Sequence, residues 1–131
     1  MIGLDTNVLV RYLAQDDPEQ SARATALIEQ RLTVEEPGYI SVVAMVETVW
    51  VLDRAYHIGG TEIAAIIERL LQADTLVVEA AQEVFLAMLT LRDGRGGFAD
   101  ALIALLGTRA GCLHTVTFDR KALRTPGFTA L

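Results

Sequence analysis

Cysteine is nearly missing from this sequence. Cys112 stands alone, so no internal disulfide can form; an oxidised scaffold is excluded and a reducing compartment is favoured. Long apolar runs are missing too. The densest, Ile40 to Leu52, is interrupted by Glu47 and falls short of the roughly 20 residues of a membrane span. The opening Met1-Ile2-Gly3-Leu4-Asp5 has no cationic region ahead of its apolar residues, unlike a signal peptide. Repeats, linkers and low-complexity stretches are absent. The expectation is therefore a single cytoplasmic domain over residues 1–131. No Ser-His-Asp pattern or dinucleotide fingerprint occurs, and Gly94–Gly97 lacks the lysine a phosphate loop needs.

Positive charge is scarce as well. Eleven Lys and Arg against seventeen Asp and Glu give a formal net charge of −6. This excludes a simple basic surface for phosphate. It leaves open an enzyme whose acids hold divalent cations, because a bound ion inverts the local charge logic. What the chain has in plenty is apolar residues, 52% against 21% charged, far from the composition of disorder. A chain of this length buries roughly two thirds of its unfolded surface.

Short strands alternating with helices predict an α/β fold, a three-layer α/β/α sandwich around a short parallel sheet. Strands are expected at Met1–Leu4, Tyr39-Ile40, Leu76–Val78 and Leu113–Thr117. Helices are expected over Asn7–Ala14, from Asp17-Pro18-Glu19 to about Leu32, from Ser41 to about Tyr56, and from a Thr61 cap to about Gln72. Two more are expected over Ala80–Arg92 and Phe98–Arg109, with irregular chain after Asp119. In such sheets chemistry collects at the carboxyl ends of the strands.

Three acids break the pattern of the rest. Asp16, Asp17, Glu19, Glu29, Glu35 and Glu36 lie in polar company and read as solvated surface or caps. Asp5, by contrast, is the lone charge between Met1 and Val10, Glu47 between Tyr39 and Leu52, and Asp100 between Gly96 and Thr108. A helix apolar all round is buried, so these carboxylates are expected to be partly buried, and buried acids need a cation partner. Neither Glu47 nor Asp100 has a basic residue three or four positions away, and Arg11 is off the helical face of Asp5. One shared cation site is more economical than three separate arginines. Asp119, after the last clear strand, joins the set if that strand neighbours the first. All-oxygen donors suit Mg²⁺, with Mn²⁺ a substitute. His57 and His114 read as helix-end or strand-packing residues, and Cys112 as a small strand hydrophobe.

Asp5-Thr6-Asn7-Val8-Leu9, Ser41 followed by Glu47, Phe98-Ala99-Asp100-Ala101-Leu102-Ile103-Ala104, and Thr117-Phe118-Asp119 together resemble the motif blocks of PIN domains. Within them the chain is similar to the toxin of a VapBC-type toxin–antitoxin module. The resemblance implies a Mg²⁺-dependent endoribonuclease, usually a homodimer, inhibited by a small antitoxin that wraps it. It implies Asp5, Glu47, Asp100 and Asp119 as catalytic metal-site acids, with Asn7, Thr117 and Ser41 as polar supports. Gly97 stands where many relatives carry another acid, which leaves a second ion one ligand poorer. Two ions about 4 Å apart, or one ion with a second arriving with RNA, both remain compatible. Arg120, Lys121 and Arg124 after Asp119, and Arg92 and Arg95 before Asp100, are candidates for RNA phosphates. The apolar helix around Trp50 and Tyr56 is the candidate antitoxin groove. A housekeeping RNA-processing nuclease of the same kind is one alternative. A Mg²⁺-binding phospho-acceptor domain is the other, although the sequence lacks its paired acids after the first strand.

Overall fold

The computed structural model describes residues 1–131. Strand β1 (Ile2–Gly3) leads into helix α1 (Thr6–Ala14), and Asp17 then caps α2 (Pro18–Thr25), its side chain accepting from the Gln20 amide at 2.9 Å. The backbone widens into a π-helix over Ala26–Arg31 before β2 (Gly38–Ile40). Next come α3 (Val42–Arg54), α4 (Gly60–Gln72), β3 (Leu76–Val78), α5 (Ala81–Arg92) and α6 (Phe98–Arg109). The chain closes with β4 (Thr115–Thr117), a 3₁₀ turn (Ala122–Arg124) and β5 (Phe128–Ala130).

Strands β1, β2 and β3 lie parallel in that order, with Gly3 opposite Tyr39 and Tyr39 opposite Val77. Parallel strands need helical crossovers, so helices flank the sheet; Ile40, Leu76 and Val78 are buried, while Val77 keeps 41% exposure. This is the three-layer α/β/α arrangement expected from the alternation of elements. Its core holds Leu9, Ile40, Met45, Leu52, Ile63, Ile67, Met88 and Leu102, each almost wholly buried. Gly38 is closely packed: a Cβ there would stand 2.8 Å from Leu32 Cδ1, so the surrounding leucines would have to shift. No helix is long and apolar enough to cross a membrane.

Several local expectations are corrected. The α4 cap position is Gly59, not Thr61. The long helix from Pro18 gives way to π geometry after Thr25. The end of the chain, expected to be mostly irregular, does contain one strand the sequence did not suggest: β5 pairs parallel with β4 in a separate two-stranded sheet. β4 lies in that second sheet and is not joined to β1. Cys112 is exposed ahead of β4 rather than packed within it.

Candidate active site

Where β1 ends, Asp5 turns the chain into α1 and caps it, its carboxylate accepting from the Thr6 amide at 2.8 Å. Thr6 is buried, and its hydroxyl donates to Glu47 Oε1. This bond ties α1 to α3 and fixes the Glu47 carboxylate at the first residue of α1. The two acids face one cavity of about 380 Å³, whose walls also carry Asn7, Arg11 and Tyr56. Sequence reasoning passed over Thr6; its position between Asp5 and Asn7 was the available signal.

Two caps hold the start of α3, which carries Glu47. The Ser41 hydroxyl accepts from the Ala44 amide at 3.1 Å, and Glu79 Oε1 accepts from the Val42 amide at 2.7 Å. Ser41 therefore acts on Glu47 through the helix and not by contact. Glu79 was the second residue missed, for it reaches α3 from the far end of β3.

The helix itself is not buried all round. Ala44, Met45, Thr48, Val49 and Leu52 face the core, whereas Val43, Glu47 and Trp50 form an outward stripe at helical spacing. Asp5, Glu47 and Asp119 are accordingly exposed, and Asp100 alone is half-buried. Burial was expected because the sequence there is apolar on every side. The structure leaves Val43 and Trp50 in solvent instead, at 75% and 58% exposure.

Asp100 sits in the first turn of α6, where free amides and the helix dipole favour a negative charge. It lines a neighbouring cavity of about 320 Å³ with Trp50, Asp53 and Phe98. Trp50 and Tyr56, taken together in the sequence reading, face different cavities. Asp119 lies after β4, where its amide donates to Thr117 Oγ1 at 3.0 Å and its Oδ1 accepts from the Lys121 amide at 2.9 Å. Thr117 thus supports the turn of Asp119. Arg120, Lys121 and Arg124 are exposed around that turn. His57 and His114 are exposed outside both cavities.

The structure brings Asp5 and Glu47 together, sets Asp100 in the next cavity along α3, and leaves Asp119 on the separate small sheet. No three acids, histidines or cysteines stand close enough to share an ion. The ion-pair explanation for the isolated acids fails outright. All salt bridges use other carboxylates, those of Asp16, Asp53, Glu83 and Asp93. By chemistry the Asp5–Glu47 pair fits a hard cation, because Mg²⁺ keeps several waters and is commonly held by one or two carboxylates plus substrate phosphates.

A second network edges the cavity. Tyr56 donates to Asp16 Oδ2, and Arg11 reaches both groups at 3.4 Å while its Nε donates to Gln20 at 2.8 Å. The Tyr56 hydrogen bond holds the Asp16 carboxyl below its ordinary range, and the same bond pushes the Tyr56 phenol up.

The PIN domain family model matches residues 2–127, almost the whole chain. No curated protein matches it. The chain belongs to the PIN domain family, whose members are in general metal-dependent nucleases acting on nucleic acid. Membership sets aside the phospho-acceptor alternative.

Proposed function

We propose that this PIN domain is a Mg²⁺-dependent endoribonuclease and the toxin of a toxin–antitoxin pair. One observation carries the nuclease reading: two carboxylates from different elements, Asp5 and Glu47, face one cavity with no cation within ion-pair distance. Asp5 and Glu47 would hold the ion, with Asp100 and Asp119 completing the acidic set. When bound, Mg²⁺ supplies water activation and charge neutralisation for phosphodiester hydrolysis. Thr6 fixes the Glu47 carboxylate at the first residue of α1. Asn7, in the wall of the same cavity, would orient a bound water or phosphate oxygen. Asp100 approaches from α6, across the outward stripe of α3. Asp119 would join from the β4 turn, where Arg120, Lys121 and Arg124 would meet RNA phosphates.

Mn²⁺ would substitute for Mg²⁺, since both are hard cations that take oxygen donors. The toxin reading adds a partner. A small antitoxin with a basic side chain would neutralise the acids, and the exposed Trp50 gives it an apolar anchor. A homodimer is the proposed assembly.

Incubating the protein with end-labelled RNA in Mg²⁺ or in chelator tests the reading. Internal cuts that need Mg²⁺ are expected, and intact RNA under both conditions would overturn it. A short neighbouring gene whose product abolishes cleavage distinguishes a toxin from a housekeeping nuclease.

A further inference from the structure

A third cavity, of about 440 Å³, opens beside the acidic one and shares Asn7 and Arg11 with it. Its walls hold three arginines, Arg11, Arg23 and Arg31, and not one acid. In a chain of net charge −6 that concentration runs against the average. Arg23 and Arg31 are exposed and take part in none of the ion pairs. Arg11 is held at the junction by Gln20, Asp16 and Tyr56, so its guanidinium is fixed between the acidic cavity and the basic one.

The irregular backbone of this region bears on the alignment. Arg31 follows Arg23 by two nominal turns, and in an ideal α-helix it would sit about 80° further round the axis. The wider π turns over Ala26–Arg31 rotate the chain less per residue. They draw Arg31 back toward the stripe of Arg23 and Leu27. π turns recur at functional sites; here one aligns two cations on one wall.

We infer that Arg11, Arg23 and Arg31 form a track for the phosphates of single-stranded RNA, leading the strand over α1 and α2 to the Asp5–Glu47 cavity. The substrate class comes from the nuclease reading above; the track itself rests on the cavity and its charge. Guanidinium forks suit phosphate oxygens bidentately. With no aromatic side chain in these walls, the track contacts backbone rather than stacking bases, so it positions RNA without selecting sequence.

The test measures binding of a fluorescent single-stranded RNA oligonucleotide in chelator, across a salt series, and cleavage of the same RNA in Mg²⁺. The parent is compared with Arg23→Ala/Arg31→Ala and with a control that loses equal charge elsewhere, Arg69→Ala/Arg109→Ala. The track predicts about tenfold weaker binding and a salt slope smaller by about 1.4, because each single-strand phosphate contact contributes about 0.7. Cleavage should show a raised KM at constant kcat, and the control should match the parent in both assays. A slope and KM equal to the parent's would overturn the track while leaving the nuclease reading intact. A parent that cleaves nothing, yet loses slope on Arg23→Ala/Arg31→Ala, would uphold the track and sink the nuclease reading. Unchanged RNA binding with lost binding of a polyglutamate peptide would assign the groove to an acidic protein segment and overturn the proposal.

Discussion

The two parallel sheets of this molecule receive opposite treatment. In the β1–β3 sheet Ile40 is wholly buried and Val78 nearly so, while in the β4–β5 unit Val116 is half exposed and the flanking Leu113 and Phe118 stand at 97% and 84% exposure. All the strands are short, but β4 (Thr-Val-Thr) is more polar than β3 (Leu-Val-Val). Coverage differs too, since Ile40, Leu76 and Val78 pack into the main core, whereas no residue of β4 or β5 belongs to it. The contrast carries over to the acids. Asp5 and Glu47 are fixed by the large core and by Thr6, but Asp119 is fixed only by its own turn.

The largest expected effect lies at the rigid end. Glu47→Gln or Asp5→Asn should lower RNA cleavage by at least about 100-fold, or about 2.7 kcal/mol in barrier, in a single-turnover assay. Asp119→Asn should cost less than either. If it costs as much, the small sheet positions its acid as firmly as the core does, and the comparison fails.

Stability should divide along the same line. Met45→Ala, in the core, is expected to cost about 2–5 kcal/mol. Phe118→Ser, on the exposed unit, should stay within about 0.5 kcal/mol. Denaturant melts measure both, and equal losses would mean that β4 is packed in solution. Trp50→Ala should weaken antitoxin binding more than RNA cleavage. Equal loss of both, with an unfolded spectrum, would make Trp50 structural.

The smallest effect concerns pH. Asp16 has a lowered pKa in the folded state, so its bond to Tyr56 contributes stability above the unfolded value of about 3.9 that is lost as pH falls through the lower folded value. Tyr56 has a raised pKa, so its share is present below about 10 and lost as pH rises through the raised value. Tyr56→Phe should flatten both edges of a melting-temperature profile. An unaltered profile would show the bond to be absent in solution.

Much of the fold was legible because side-chain pattern dictates it. Asp17-Pro18 opened a helix and Ser41 capped one, both by local chemistry that a sequence displays. The π turn was not, since wider turns leave no mark on apolar spacing over six residues. Strand β5 was missed because Phe128-Thr129-Ala130 is too brief to show alternation and forms only by pairing with β4. At the site, isolation in sequence drew attention to Asp5 and Glu47, which line one cavity, but their burial was misread. An apolar helix sequence does not reveal that Val43 and Trp50 will face solvent, nor that Thr6 will bridge two helices.

We propose that Asp5 and Glu47, with Asp100 from the next cavity, form a cation site and not an ion-pair network. Thermal melts of the parent, Glu47→Gln and Asp100→Asn, each in chelator and in millimolar Mg²⁺, test it most directly. A ligand bound only to the native state raises its melting temperature by mass action. The account predicts a Mg²⁺-dependent gain in the parent, its loss in both variants, and unchanged or slightly raised melting of the variants in chelator. Variants that melt far lower in chelator, as when a buried ion pair losing one partner costs about 3–5 kcal/mol, or that keep the Mg²⁺ gain, would contradict it.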